Sequence, residues 1–123
     1  MAGEAVGGYL ELAGKYLAEA RVLLGKGDFT QASEKLWGAV AETVKALATS
    51  EGRLLRTHRR LWTYVDRLAS RLGEPELRRL FSSANTLHQN FYENMLPPET
   101  VKQFALDCEK LISRLKPLIK TSR

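Results

Sequence analysis

Apolar residues recur at intervals of three and four along nearly the whole 123-residue chain. This spacing places them on one face of a helix, whereas the alternation typical of a half-buried strand is absent. The pattern predicts five amphipathic helices, and the short segments between them favour antiparallel neighbours. The predicted fold is therefore all-α: an up-down antiparallel bundle of four to five helices that forms a single domain over residues 1–123.

Capping and breaking residues divide this period into its helices. Asp28, followed three residues later by Gln31, is typical of a capping box at the start of the second helix, and Thr57 is a typical N-cap for the third. Glycine and proline interrupt the period at residues 25–27, Gly73, residues 97–98 and Pro117. The last six residues are predicted to form a frayed tail.

Several classes of protein are disfavoured by the composition. The single cysteine, Cys108, excludes a disulfide framework within the chain and is predicted to be a buried structural thiol. No apolar run approaches the roughly 20 residues of a membrane span, and the N-terminus lacks the features of a secretory signal. We therefore expect a cytoplasmic protein with no membrane contact. Neither histidine has the Glu-x-x-His spacing of a di-iron bundle, and we expect no metal and no cofactor.

The net charge of +5 is concentrated in residues 53–79, here called the arginine window. It holds eight arginines and three acids, and arginine is its only basic residue type. Guanidinium groups bind phosphates well, so Arg56, Arg59 and Arg60 are candidates for binding a nucleotide or RNA. The alternative is a solvated face, or arginines that pair with acids of other helices.

A second candidate site lies in residues 83–94, where residues of low helix propensity are frequent. Asn85, His88 and Tyr92 are spaced at i, i+3 and i+7, so their side chains are expected on one helix face. His88 is the candidate general acid or base, and Asn90 joins Asn85 and Tyr92 as a candidate ligand-binding residue. The alternative is that His88 is a hydrogen-bonded core histidine.

Three stretches together resemble a known family: residues 27–42, which begin Gly-Asp-Phe, the His-Arg-Arg-Leu-Trp of residues 58–62, and the Leu-His-Gln-Asn-Phe-Tyr-Glu of residues 87–93. They are similar to the PaREP family of archaeal proteins, part of the HEPN-like superfamily of helical bundles. The resemblance implies a four- or five-helix bundle, often dimeric. It also implies relatives that are ribonucleases, or that partner small nucleotidyltransferases in toxin–antitoxin and other two-gene defence modules.

The nuclease motif of that superfamily is an arginine, four to six residues, and then a histidine, with two copies facing across a dimer. For His88 the matching positions hold Ser83, Ser82 and Phe81, and the nearest preceding arginine is Arg79. His58 has the spacing with Arg53, but it begins the third helix, where the motif is not expected.

The resulting interpretation is a non-enzymatic, HEPN-like binding module, expected as a homodimer, that binds a nucleotide, RNA or an acidic partner through the arginine window. The alternative function is a metal-independent ribonuclease with His88 as general acid/base and Arg79, or an arginine of the partner subunit, stabilising the phosphate. A third interpretation is a structural or antitoxin subunit that works through its apolar surface, and salt dependence separates this from phosphate binding.

Overall fold

The computed structural model describes residues 2–120. Its helices are α1 (Ala2–Gly25), α2 (Phe29–Ser50), α3 (His58–Leu72), α4 (Glu76–Glu93) and α5 (Pro98–Leu115), with a 3-10 turn at Lys116–Leu118. No strand occurs in this part of the chain, which confirms the all-α bundle. None of the helices within residues 2–120 is both long and apolar enough to cross a membrane. Residues 121–123 of the predicted tail lie outside the described residues.

The two predicted N-caps are formed by side chains. Asp28 Oδ1 accepts a hydrogen bond from the Gln31 backbone N–H, and Thr57 Oγ1 accepts one from Arg60 N–H, each at 3.1 Å. These contacts satisfy backbone donors that a helix leaves free at its start. The backbone N–H of Asp28 donates to the Leu23 carbonyl, so the reciprocal half of the predicted capping box is not made.

The core is centred on α2, which packs against α1, α4 and α5. Its inward face contributes fully buried aliphatic residues, and Phe81 of α4 is the largest fully buried side chain. By contrast, α1 buries only Val6, Ala13 and Ala20, while the larger residues of its predicted inner face remain partly exposed. The reason is that α1 packs chiefly against α2 and is not enclosed by other helices.

The step from α2 to α3 differs from a simple helical hairpin. Trp37, in the middle of α2, contacts His58 in the first turn of α3, whereas Glu51, at the end of α2, contacts Tyr64 and Arg71. Residues 51–57 therefore carry the chain back along α2, and α3 runs toward the end of α2. The pairs α1–α2, α3–α4 and α4–α5 are antiparallel, as predicted.

Helix α4 ends before the prolines that were predicted to break it. Asn94 adopts a left-handed conformation (φ 47°) directly after the last helical residue, Glu93. The Asn90 side-chain oxygen accepts hydrogen bonds from the backbone N–H groups of Met95 and Leu96 at 2.8 and 2.7 Å. Asparagine tolerates this conformation, so a local turn ends the helix and the prolines begin the next one.

Candidate nucleic-acid interface

His88 is held by a carboxylate from a neighbouring helix. Its Nδ1 lies 2.8 Å from Glu34 Oε1 of α2, and the side chain is 18% exposed. With the Glu34 carboxylate as acceptor, Nδ1 is the donor of this bond, and Nε2 forms no hydrogen bond within residues 2–120. This is the arrangement of a histidine whose ring is oriented for proton transfer.

Both histidines of the chain meet at this point. The His58 and His88 rings are in edge contact with centroids 4.9 Å apart, and both contact the Trp37 ring at 5.2 and 5.1 Å. Tyr92 adds an edge contact to His88 at 5.4 Å. We call Glu34, Trp37, His58, His88 and Tyr92 the histidine cluster. It is an open cluster, because Tyr92 is 71% exposed and His58 is exposed as well.

Of the three side chains predicted to lie together, Asn85, His88 and Tyr92, the structure brings only the last two into contact within residues 2–120. His88 and Tyr92 touch, whereas Asn85 is half-buried and makes no side-chain hydrogen bond within residues 2–120. Asn90 is 1% exposed and donates from Nδ2 to Ser33 Oγ at 3.0 Å, in addition to capping the end of α4. These bonds give Asn90 a structural role, while its assignment as a ligand-binding residue stays a prediction.

Arg79 is also engaged elsewhere. It lies nine residues before His88 on the same helix, about 13 Å along the axis at 1.5 Å per residue. Its guanidinium pairs with Glu76 at 3.1 Å and Asp107 at 3.3 Å. The hydrogen bond that Arg79 donates to Glu76 and the negative charge of Asp107 raise the pKa of Arg79. Within one chain, therefore, Arg79 and His88 are not brought to one site.

The eight arginines of the arginine window divide into two sets. Three form ion pairs at 2.6–3.3 Å: Arg71 with Glu51, Arg78 with Asp66, and Arg79 with Glu76 and Asp107. Five are exposed and form no ion pair within residues 2–120: Arg53, Arg56, Arg59, Arg60 and Arg67. We call these five the free arginines. They include all three arginines that were predicted to bind a ligand.

The free arginines line two concavities on either side of the start of α3. One, of about 450 Å³, is the arginine cleft, lined by Arg53, Arg59, Arg60 and Arg67 together with Leu55, Thr57, Thr63 and Tyr64. The hydroxyl of Tyr64 donates to Glu51, and burial together with this bond raises the pKa of Tyr64. The phenol is therefore neutral at physiological pH, and the cleft presents cations and hydroxyl groups.

The other concavity, the α2 groove, has a volume of about 540 Å³ and runs along α2 between α1 and the start of α3. Glu34, Trp37 and His58 of the histidine cluster line it, and Arg56 lies on the same wall as His58. Gly38 forms part of the floor, where a Cβ would lie 2.8 Å from the Tyr16 ring. The close packing of α1 on α2 thus requires glycine at this position.

The side chains of residues 2–120 indicate neither metal nor thiol chemistry. Within residues 2–120 no group of three His, Cys, Asp or Glu side chains is placed to hold a metal ion. Cys108 is fully buried, and burial raises the pKa of its thiol, as expected for a structural cysteine.

Sequence reasoning missed Glu34 and gave little weight to His58. A signal for both exists in hindsight. Glu34 and Trp37 are three residues apart on α2 and so share a face, and His58 follows directly on the cap of α3. Only the packing of α2, α3 and α4 shows that these faces meet.

The chain is similar to proteins of archaea. The model of the archaeal PaREP1/PaREP8 family matches residues 8–112. The crystal structure of a protein from Sulfolobus solfataricus is similar with a TM-score of 0.77 and 30% sequence identity, over 89% of this chain and 97% of that one. A comparison with curated proteins finds no match. Because the family model spans most of the helical bundle, the chain belongs to the archaeal PaREP1/PaREP8 family.

Proposed function

We propose that this protein is an RNA-binding module that contacts phosphates through the free arginines. The observation that carries the proposal is that Arg53, Arg56, Arg59, Arg60 and Arg67 surround the start of α3 without an acid partner within residues 2–120. Solvated surface arginines are usually interspersed with acids, whereas uncompensated ones attract polyanions. Guanidinium forks form bidentate bonds with phosphate oxygens, which supports RNA as the ligand.

Phosphate contacts carry no sequence information, so the arginine surface is expected to bind single-stranded RNA with little base preference. A fluorescence anisotropy titration with a labelled oligonucleotide at low salt tests this. In the Arg56→Ala, Arg59→Ala, Arg60→Ala triple variant we expect affinity to fall at least about tenfold, since each lost phosphate contact weakens binding.

The matched control removes the same positive charge where each arginine already has a partner. Arg21 pairs with Glu109, Arg71 with Glu51, and Arg114 with Glu74 and Glu76. Substituting Arg21, Arg71 and Arg114 by alanine should change the affinity for RNA by no more than about twofold to threefold, because the position of the arginines is expected to matter more than the net charge. Equal losses in the two triple variants, or no binding by the wild type, would refute the proposal.

A metal-independent ribonuclease is the second candidate, and one observation favours it. Glu34 orients His88, and the His58 ring lies beside it with centroids 4.9 Å apart. A histidine held at Nδ1 by a carboxylate accepts a proton at Nε2, and the carboxylate stabilises the imidazolium that forms. The arginine of this chain that lines the same groove as His58 is Arg56; an arginine of a partner subunit is the alternative.

His88→Ala separates a catalytic histidine from a packed one. If His88 is catalytic, the substitution should abolish RNA cleavage and leave the melting temperature nearly unchanged. If His88 is only packed in the core, the substitution should lower the free energy of unfolding by a few kcal/mol. Cleavage is followed on labelled RNA in the presence of EDTA and of Mg²⁺. If the wild type cleaves no RNA under either condition, the ribonuclease candidate fails and the binding function is retained.

We further propose that the module is a homodimer. Tyr92, Met95 and Trp62 are 71%, 46% and 36% exposed, which is more large apolar surface than a small monomer needs to show. Light scattering at high micromolar concentration should give a mass above that of the 13.8 kDa chain. A strictly monomeric mass would exclude the dimer.

A nucleotidyltransferase encoded beside this gene would support a toxin–antitoxin role with that enzyme as partner.

A further inference from the structure

The α2 groove differs from the arginine cleft in its balance of charge. Its lining contains two carboxylates, Glu34 and Glu42, as well as three permanent cations, Lys35, Lys45 and Arg56. A surface that only held phosphates would not place two carboxylates beside them, since each would repel the ligand.

Most of these charges are already neutralised by a neighbour. Lys35 pairs with Glu19 at 2.9 Å, and Lys45 pairs with Glu42 at 3.2 Å. Of the permanent cations lining the groove, Arg56 alone has no acid partner among the residues that the structure describes. Within residues 2–120 the groove therefore offers one uncompensated positive charge.

Glu34 supplies the complementary acceptor. Its side chain is 33% exposed, and only one of its oxygens accepts from His88, which leaves the other for a ligand in the groove. The exposed His58 ring, which lines the same groove and is in edge contact with His88, offers an aromatic surface of the kind on which bases stack. A volume of about 540 Å³ lies within the range of about 300–1,000 Å³ for pockets that hold small ligands.

We propose that the α2 groove binds one nucleotide whose base carries an exocyclic amino group, with its phosphate on Arg56 and its amino group donating to Glu34. The ligand is one nucleotide unit because, among the described residues, the groove lining has one free cation, Arg56, and one accessible carboxylate, Glu34. The proposal deepens the RNA-binding function, and its extension to a bound RNA strand rests on that function. In such a complex the phosphates lie along the free arginines while one base enters the groove. It adds base selectivity that phosphate contacts alone do not give.

Cytidine and uridine monophosphate form a matched pair of probes. They share the phosphate, the sugar and the ring size, but cytosine presents an amino group where uracil presents a carbonyl. In an NMR titration of the full chain we expect shifts of the Gly38 and Ala41 amide signals with both probes. The dissociation constant for cytidine monophosphate should be about fivefold lower, as one net hydrogen bond gives.

Ala41→Leu tests the groove itself, because Ala41 lines it and the larger side chain fills it without changing charge. Ala18→Leu adds the same bulk at an exposed position of α1 and is the control. We expect the first variant to lose cytidine monophosphate binding and the second to keep it. Because Ala41 is 5% exposed, Glu34→Gln is a second variant that avoids repacking. It should keep the fold and abolish the preference for cytidine over uridine monophosphate.

The results distinguish this proposal from the RNA-binding function. Equal affinity for the two mononucleotides, or a preference that survives in both Ala41→Leu and Glu34→Gln, would overturn the groove assignment even if RNA binds through the free arginines. Selective binding of cytidine monophosphate by a protein that fails to bind RNA would uphold the groove and refute the RNA-binding function.

Discussion

The two halves of the arginine window are similar in sequence and different in surroundings. In residues 53–67 five exposed arginines have no acid partner within the described residues, whereas in residues 71–79 all three are paired. The partners of the second half include Glu51 of the α2–α3 connection and Asp107 of α5, which are distant in sequence. Arginine density along a chain therefore does not reveal which guanidinium groups are available; the packing of other helices decides it.

The largest difference between the halves should appear in the salt dependence of RNA binding. Each phosphate contact contributes about 0.7 to the slope of log affinity against log salt for a single strand, so losing three should lower the slope by about 2. We expect this for the triple variant at Arg56, Arg59 and Arg60, measured by anisotropy between low and physiological salt. The control triple variant at Arg21, Arg71 and Arg114 should keep the wild-type slope. An equal decrease of the slope in the control would contradict the difference between the two halves of the arginine window.

A second difference should appear in stability when a buried partner is removed. Asp107 is 6% exposed and accepts from Ser83 at 2.7 Å as well as pairing with Arg79. Asp107→Ala should lower the free energy of unfolding by about 1–3 kcal/mol, because the hydrogen bond and the ion pair are lost together. Urea denaturation measures this. Asp107→Asn, which retains an acceptor for Ser83, should cost less; an alanine variant as stable as the wild type would show that this half is not held by its pairs.

Single arginine substitutions should show a smaller effect of the same sign. Arg71→Ala removes the ion pair to Glu51 and should cost about 0.2–1 kcal/mol, the usual value of an exposed pair. Arg59→Ala removes no ion pair and should change stability by less than about 0.5 kcal/mol. Thermal unfolding of the two variants side by side tests the order, and the reverse order would contradict the division into paired and free arginines.

The smallest effect concerns the titration of Glu76. Hydrogen bonds from Arg79 and Lys110 hold the pKa of Glu76 below its ordinary value of 4.5. Folding therefore favours the ionised carboxylate; this contribution is present above pH 4.5 and is lost as the pH falls through the lowered pKa. Carboxyl NMR should show the lowered pKa in the wild type and a return toward 4.5 in Arg79→Ala. An unchanged value in that variant would mean that Arg79 is not the main cause.

Local chemistry made much of the fold predictable. The N-caps at Asp28 and Thr57 and the end of α3 at Gly73 depend on residues next to each helix end. Both N-cap hydrogen bonds form and α3 ends at Gly73 as predicted, whereas the reciprocal half of the capping box at Asp28 does not form. The end of α4 was predicted less well, because Asn90 stabilises it through two backbone N–H groups beyond the helix. Such a bond depends on the path of the following turn, which spacing along a helix does not encode.

Individual residues of the candidate site could be predicted from the sequence, but the contacts between them could not. His88 and the arginines of the window stand out by residue type, but the Glu34 partner of His88 depends on how α2 lies against α4. Asn90 was a candidate because residues of low helix propensity are frequent in residues 83–94, yet its side chain donates a hydrogen bond to Ser33 in the interior. A helix pattern gives the face of each residue, whereas the register between helices comes from packing.

Thr57 lines both the α2 groove and the arginine cleft while its side chain caps α3. The two concavities thus share one wall, formed where the chain returns along α2. A ligand that fixes this wall from one side lowers the entropy that a ligand on the other side must lose. For the two proposed ligands, thermodynamic linkage makes such an effect reciprocal: the factor by which a mononucleotide in the groove changes phosphate affinity in the cleft equals the factor by which phosphate changes affinity for the mononucleotide. Thr57, in the segment before α3, is thereby the residue through which we expect binding in one concavity to affect the other.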